Sequence, residues 1–554
     1  MKKPWLNFYD KEVHASMKYP HLLIPQMLEN TAVQFPHRKA LVFLGHTTTY
    51  RELQEAIVKF SSALYLMNIQ PRDRIILFMP NCPQMVIAFY AALRIGAIVV
   101  PANPMYTEKE LEFQINDSGA ETLITLDILF KKVSTLRLRT SIKRIIVGRI
   151  QDYLPPFKRF LYPIIGGKGM ESVSIEEKNG VFLFQTLLQK KMAEPSMPPF
   201  IPDEIAILQY TSGTTGTSKG AMLSHRNIVN NLMQMRQWYF TLHEGGETFV
   251  AVLPFFHSYG MAVGMNLPLS IGATLIVLPR FVPKDLLKTI QNYRATIFPG
   301  VPSIYAALNN QKGIKFDIST IRYCISGAAP LSIPVLKDFE RLTGGILIEG
   351  YGLTETSPVT HCNPLQGKRK IGSIGLPLPD TDCKMIDPRT GNELPLGEEG
   401  ELCIKGPQVM RGYWQKPEET ARALKDGWLL TGDIARMDEE GYFYIVDRKK
   451  DLIISEGFNI FPGEIDEFLM AHPKINEASA VGVPDVLRGE KIFAFVVLKK
   501  GERATQEEIL KYCRDHLVKY KIPKKIIFKE ELPKNLMGKI LRRILREEAS
   551  RYNS

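Results

Sequence analysis

The run Tyr210-Thr211-Ser212-Gly213-Thr214-Thr215-Gly216-Thr217-Ser218-Lys219-Gly220 concentrates hydroxyls, glycines and one lysine in a single short loop. Glycines let backbone N–H groups turn toward an anion with no Cβ in the way, hydroxyls donate to phosphate oxygens, and Lys219 adds a point charge. A triphosphate suits that chemistry. The run is not a Walker A loop, because Lys219 is followed by Gly220 rather than by Ser or Thr. Taken alone, it also reads as an ordinary polar connection.

The elements around the loop decide where it sits. Ile205-Ala206-Ile207-Leu208 reads as a buried strand and 227–238 as a helix, which places the loop where ligands approach open α/β sheets. From Glu29 onward, helix-like and strand-like pieces alternate: helix 53–66, strand 74–79, helix 84–94, strand 97–100, helix 108–117, strand 122–125. The rhythm resumes after Pro202 with strands over 248–253, 274–278, 296–298, 323–326 and 346–349. Alternation of this kind predicts parallel sheets covered by helices. The fold class expected is α/β, with two lobes.

Between the lobes, 152–177 interleaves aromatic and basic residues around Leu154-Pro155-Pro156-Phe157-Lys158-Arg159-Phe160. It reads either as a surface insertion or as a segment resting on an anionic lipid surface. After Gly372, short strands over 380–386 and 400–405 flank a turn at 387–391, a small β unit. A final α+β unit has helices over 463–471 and 506–517 and strands over 478–483 and 492–498. The division expected is therefore 1–447, with two α/β lobes and the β unit, and 448–554.

Composition narrows the class. The chain has 554 residues, 45% hydrophobic and 23% charged, which is ordinary for a globular protein and too long for a single core. A formal charge of +12 favours anionic partners without choosing among nucleotides, coenzyme A, nucleic acid and lipid. The six cysteines are scattered and form no CxxC pair, so neither structural zinc nor a disulfide framework is expected. Met1-Lys2-Lys3-Pro4-Trp5 has no apolar run behind it, so a signal peptide is not supported and a cytoplasmic location is expected. The apolar stretches 85–100 and 260–279 are both interrupted, and buried helix followed by buried strand explains them better than a membrane span.

Further stretches accompany the loop. They are Pro254-Phe255-Phe256-His257-Ser258-Tyr259-Gly260, Ser326-Gly327-Ala328-Ala329-Pro330 and Gly350-Tyr351-Gly352-Leu353-Thr354-Glu355-Thr356. Leu430-Thr431-Gly432-Asp433, Tyr444 to Asp451, and Pro533-Lys534-Asn535-Leu536-Met537-Gly538-Lys539 follow. In this order and spacing the chain resembles the adenylate-forming acyl-CoA synthetase superfamily, and within it the bacterial long-chain fatty acid–CoA ligases. The resemblance runs from 5 to 543.

What it implies is specific. Thr211, Ser212, Gly213, Thr214, Thr215, Gly216 and Lys219 would cradle ATP. Tyr351 would stack on adenine, with Gly327, Ala328 and Gly352 close to the base. Thr354 would bond a phosphate, and Glu355 with Thr211 would hold Mg²⁺, a hard cation that takes oxygen ligands. Asp433 and Arg448 would hold the ribose, Lys450 would be the pivot of a mobile C-terminal domain, and Lys539 would stabilise charge at the α-phosphate. His257 would lie near the acyl carboxylate and the CoA entrance, and Gly457 on the pantetheine route, where Glu456 departs from the small residue common in relatives.

The activity implied joins a long-chain fatty acid to CoA through an acyl-adenylate, releasing AMP and pyrophosphate. A medium-chain or aryl acid is the alternative substrate, with 261–266 and 300–302 expected to set tunnel depth. An amino-acid adenylation module is disfavoured because no Asp stands near His257, and a luciferase-like oxygenase and a basic nucleic-acid binder are rivals from other classes. No nucleic-acid partner is expected and a homodimer is; a peripheral membrane contact is the alternative to a surface insertion at 152–177.

Overall fold

The computed structural model of the chain describes residues 3–159, 175–190, 201–211, 218–311, 316–449, 451–455, 458–485, 489–535 and 538–552. Ser212, Gly213, Thr214, Thr215, Gly216, Lys450, Glu456 and Gly457 lie outside the described residues, as does most of the 152–177 segment.

Helices begin where local chemistry satisfies their first N–H groups. Tyr50–Leu66 starts behind Thr49, whose hydroxyl accepts from Glu52 N (3.3 Å) while the Glu52 carboxylate accepts from Thr49 N (2.7 Å). The same reciprocal pair, Thr107 and Glu110, opens Glu108–Ser118, and Gly119, in a left-handed conformation, closes it. Pro83–Arg94 carries proline at its start and is buried on nearly every side, which is why its sequence is apolar all round. With strand Ile98–Ala102 behind it, it accounts for the first interrupted apolar stretch. Among the described residues, no helix is long and apolar enough to cross a membrane.

Two large sheets form the frame. One runs, in spatial order, Val181–Leu183, Arg144–Gly148, Thr122–Leu126, Arg74–Phe78, Ile98–Ala102, Ile205–Thr211 and Lys219–Ser224, parallel except for the last pair. The other is parallel from Ile346–Gly352 through Tyr323–Ser326, Ile297–Gly300, Thr248–Ala251 and Thr274–Val277 to Lys39–Phe43, with antiparallel strands at both ends. The lobes are therefore interlocked rather than sequential. Lys39–Phe43 pairs with Thr274–Val277, and Ile205–Thr211 returns to the first sheet beside Ile98–Ala102.

The expected strand-loop-helix around the hydroxyl-rich run is corrected. Thr211 pairs with Lys219 across two antiparallel strands, and the helix, His225–Trp238, starts after Ser224 caps it. The small β unit is also larger than expected: Trp428–Met437 and Phe443–Arg448 join Asp382–Ile386 and Gly400–Lys405 in an antiparallel sheet. The C-terminal part has its own sheet, in which Ile475–Asp485 and Gly489–Leu498 pair along their length. Its apolar core is drawn from Ile453 onward, separate from the core beneath the two large sheets.

Candidate active site

Four loops converge because each follows the carboxyl end of a strand in one of the two large sheets, where such sheets leave a crevice. They follow Ile205–Thr211, Thr248–Ala251, Tyr323–Ser326 and Ile346–Gly352. The crevice is a cleft of about 1020 Å³ lined by Thr211, Lys219, His257, Gly327, Ala328, Tyr351, Gly352, Thr354 and Glu355. Arg448 and Lys539 close it from the C-terminal side. Residues far apart in sequence thus share one chamber, as their chemistry requires.

Tyr351 and Asp433 are tied directly: the phenol donates to Asp433 Oδ2 at 2.6 Å, and Arg448 Nε lies 2.9 Å from Asp433 Oδ1. Asp433 is almost wholly buried, and burial with the neighbouring carboxylate pushes the Tyr351 phenol well up, so it stays a donor. Gly352 has no alternative, because a Cβ there would stand 1.9 Å from the Pro358 carbonyl oxygen. Ala328 holds a left-handed φ of 69°, a strained conformation at the lip of the cleft.

Glu355 accepts from the Tyr413 hydroxyl at 2.9 Å, and desolvation raises its carboxyl above the usual range. A buried carboxylate of that kind is stabilised by a cation. Among the described residues, no cluster of three or more His, Cys, Asp or Glu side chains could hold a metal by itself. Glu355 and Thr211 both line the cleft and offer oxygen donors, the ligand type a hard divalent cation such as Mg²⁺ takes. Thr354 lies 3.4 Å from the Ser258 hydroxyl.

Lys219 is paired with Glu419 at 2.5 Å and lies over the Tyr413 ring. His257 is not simply a free imidazole: its Nδ1 accepts from Tyr259 N at 3.2 Å and caps Ser258–Met261. Burial lowers its pKa to about 4, so the ring is neutral with its proton on Nε2. Asn81 holds the same loop, donating to Leu253 O (2.8 Å) and accepting from Phe255 N (2.8 Å), and Gln209 donates to Phe256 O (2.8 Å). Met261 ends the turn Ser258–Met261, and Ala262–Asn266 follow it as a fully buried π-helical turn packed behind the His257 loop.

Lys539 sits on a loop closed by Lys539 N to Asn535 Oδ1 (2.9 Å), Asn535 N to Lys539 O (2.9 Å) and Leu541 N to Pro533 O (2.8 Å). Gly538 lies against the helix Pro302–Asn309; a Cβ there, already strained at φ +77°, would be 2.7 Å from Ser303 Oγ. Sequence reasoning missed Asn81, Gln209, Tyr413 and Glu419, because none belongs to a local pattern and each acts across more than one element.

Residues 28–414 match the family described as AMP-binding enzyme, and 464–539 match the AMP-binding enzyme C-terminal domain. The chain is 44% identical over 550 residues to a long-chain-fatty-acid–CoA ligase of Bacillus subtilis, covering 99% of this chain and 98% of that one. Among solved structures, it superposes on ATP-bound MatB from Rhodopseudomonas palustris with a TM-score of 0.85 at 29% identity, covering 96% of this chain and 100% of that one. Against the apo form of the same protein, at the same identity and coverage, the TM-score is 0.73.

Proposed function

The chain belongs to the AMP-binding enzymes and, among them, to the acyl-CoA synthetases, and on that premise we propose that it activates a long-chain fatty acid with ATP and transfers the acyl group to CoA. The observation that supports this best is the shared cleft, with Thr211, Lys219, His257 and Glu355 on one wall and Arg448 and Lys539 on the other. A carboxylate oxygen of the acid bonds to the α-phosphorus, and the bond to pyrophosphate breaks. The CoA thiol then gives up its proton to solvent as its sulfur bonds to the acyl carbon, the bond between that carbon and the phosphate oxygen breaks, and AMP leaves.

Each residue has a part in this. Asp433 accepts the ribose hydroxyls, held in place by Tyr351 and Arg448. Lys219 exchanges Glu419 for a phosphate oxygen, while Ser212, Gly213, Thr214, Thr215 and Gly216 supply the rest of the cradle. Gly327 and Ala328 flank the adenine. His257, with its proton on Nε2, donates toward the acyl carboxylate. Lys539 stabilises charge that grows on the α-phosphate, the kind of interaction that lowers a barrier by about 3 kcal/mol. Mg²⁺ held by Glu355 and Thr211 would neutralise the phosphates and polarise their oxygens.

Two parts, 1–447 and 448–554, serve the two half-reactions, the second swinging about Lys450 so that Gly457 replaces Lys539 at the cleft. The closer match to ATP-bound than to apo MatB supports reading the present pose as the adenylating one. A homodimer and contact between the 152–177 region and a lipid surface belong to the same reading. Phe157 is 73% exposed beside Lys158 and Arg159, a pairing suited to anionic membranes. Light scattering and sedimentation with anionic vesicles test those two points.

A graded panel of acids, assayed for AMP production that requires both ATP and CoA, tests the substrate. Long-chain acids are expected to turn over best; preference for a medium-chain acid or benzoate would replace this reading with the alternative ligase.

A further inference from the structure

Just beyond Lys539, Arg542 opens the helix Arg542–Arg551 and reaches back to where the two parts of the chain meet. Its Nη2 lies 2.6 Å from Asp466 Oδ2, and its Nη1 lies 3.4 Å from Asp447 Oδ1 and 3.8 Å from Asp451 Oδ2. These acidic side chains are almost removed from solvent, 9% exposed at Asp466, 1% at Asp447 and 11% at Asp451. Each principal carboxylate is fixed by backbone as well. Asp447 accepts from Gly463 N (2.6 Å) and Arg448 N (2.7 Å), and Asp466 accepts from Ala480 N (2.5 Å).

The placement of the partners gives this contact its meaning. Asp447 belongs to the strand Phe443–Arg448, whose next residue grips Asp433 at the cleft. Asp466 belongs to the helix Pro462–Met470 of the C-terminal part. One guanidinium therefore joins the two, at the root of the loop that presents Lys539. We propose that Arg542 is a positioning residue for adenylation: its fork holds Asp447 and Asp466 together and so sets the Lys539 loop over the cleft.

A planar fork with donors on both arms can serve two carboxylates at once, and an ammonium on a flexible stem cannot hold both in that geometry. Arg542→Lys therefore keeps the charge but loses the strut. A misplacement of about 1 Å at a reacting group costs on the order of 100-fold. The proposal rests on the reading that Lys539 acts in the first half-reaction.

Both half-reactions are measured on the full-length enzyme: acid-dependent ATP–pyrophosphate exchange, and CoA thioester formation from preformed acyl-adenylate. For Arg542→Lys, exchange kcat is expected to fall about 10- to 100-fold, with the KM for ATP and thioester formation within about threefold of wild type. Asp447→Asn, nearly isosteric, removes the carboxylate on the other side and is expected to give the same selective loss, with the double variant little worse than either single one. Equal loss in both half-reactions, unchanged exchange, or additive losses in the double variant would overturn the proposal. Lys539→Ala, run alongside, separates the two ideas. If it leaves exchange intact, the assignment of Lys539 is wrong; if it abolishes exchange while Arg542→Lys does not affect it, only the strut is wrong.

Discussion

At the scale of single residues, the cleft works by holding polar groups in one protonation state and one direction. Tyr351 is kept a phenol by burial beside Asp433, so it donates to the carboxylate proposed above to accept the ribose. Removing that donor leaves Asp433 held by Arg448 alone. A hydrogen bond to a charged group contributes about 1.5–3 kcal/mol, so Tyr351→Phe is expected to weaken ATP binding by roughly 10- to 150-fold, read by calorimetry, with kcat little changed. Lys539→Ala is the opposite case: exchange is expected to fall by about 100-fold or more while thioester formation from acyl-adenylate persists, and equal loss in both would refute the division of labour. Tyr351 and Lys539, which the structure brings to one cleft, stood out in the sequence because each sits in a compact local pattern. Tyr413 and Glu419 were not, because their partners Glu355 and Lys219 lie elsewhere in the sequence.

Elements position those residues, and here sequence periodicity was a good guide to existence and a poorer one to ends and partners. The helix expected over 53–66 starts earlier, at Tyr50, because the Thr49–Glu52 reciprocal cap outweighs the hydrophobic pattern that suggested a later start. The strand after the hydroxyl-rich run escaped notice because Lys219 to Ser224 is short and partly polar, and only its pairing with Ile205–Thr211 makes it a strand. Asn81 shows how strongly the scaffold holds the His257 loop, since one amide satisfies both Leu253 O and Phe255 N in a buried place. Asn81→Leu would leave both backbone groups without that amide, at a cost of roughly 2–4 kcal/mol. Urea unfolding is expected to show a lower midpoint, with a lower kcat for thioester formation; an unchanged midpoint would mean that the loop holds itself.

At the scale of the whole molecule, the interlocking of the two large sheets was not legible. Nothing local in Lys39–Phe43 announces pairing with Thr274–Val277, since any apolar strand of that length fits either sheet. The same burial makes stability depend on acid. His225 and His361 are almost fully buried, and desolvation lowers their pKa values to about 4 and about 3. The unfolded chain binds protons at these sites first, so stability is fully present above about pH 6.5 and declines as pH falls toward 4, by on the order of 3 kcal/mol per histidine. Melting temperatures measured across that window should fall, and His361→Gln should flatten the slope; an identical slope would remove His361 from the account. All of it serves one act, the capping of a fatty carboxylate with AMP. The direct test is pyrophosphate release by the purified protein with ATP, Mg²⁺ and palmitate, without CoA. The account predicts a burst stoichiometric with enzyme that EDTA abolishes and Lys539→Ala slows by about 100-fold or more; folded enzyme that releases no pyrophosphate with palmitate or any other acid would contradict it.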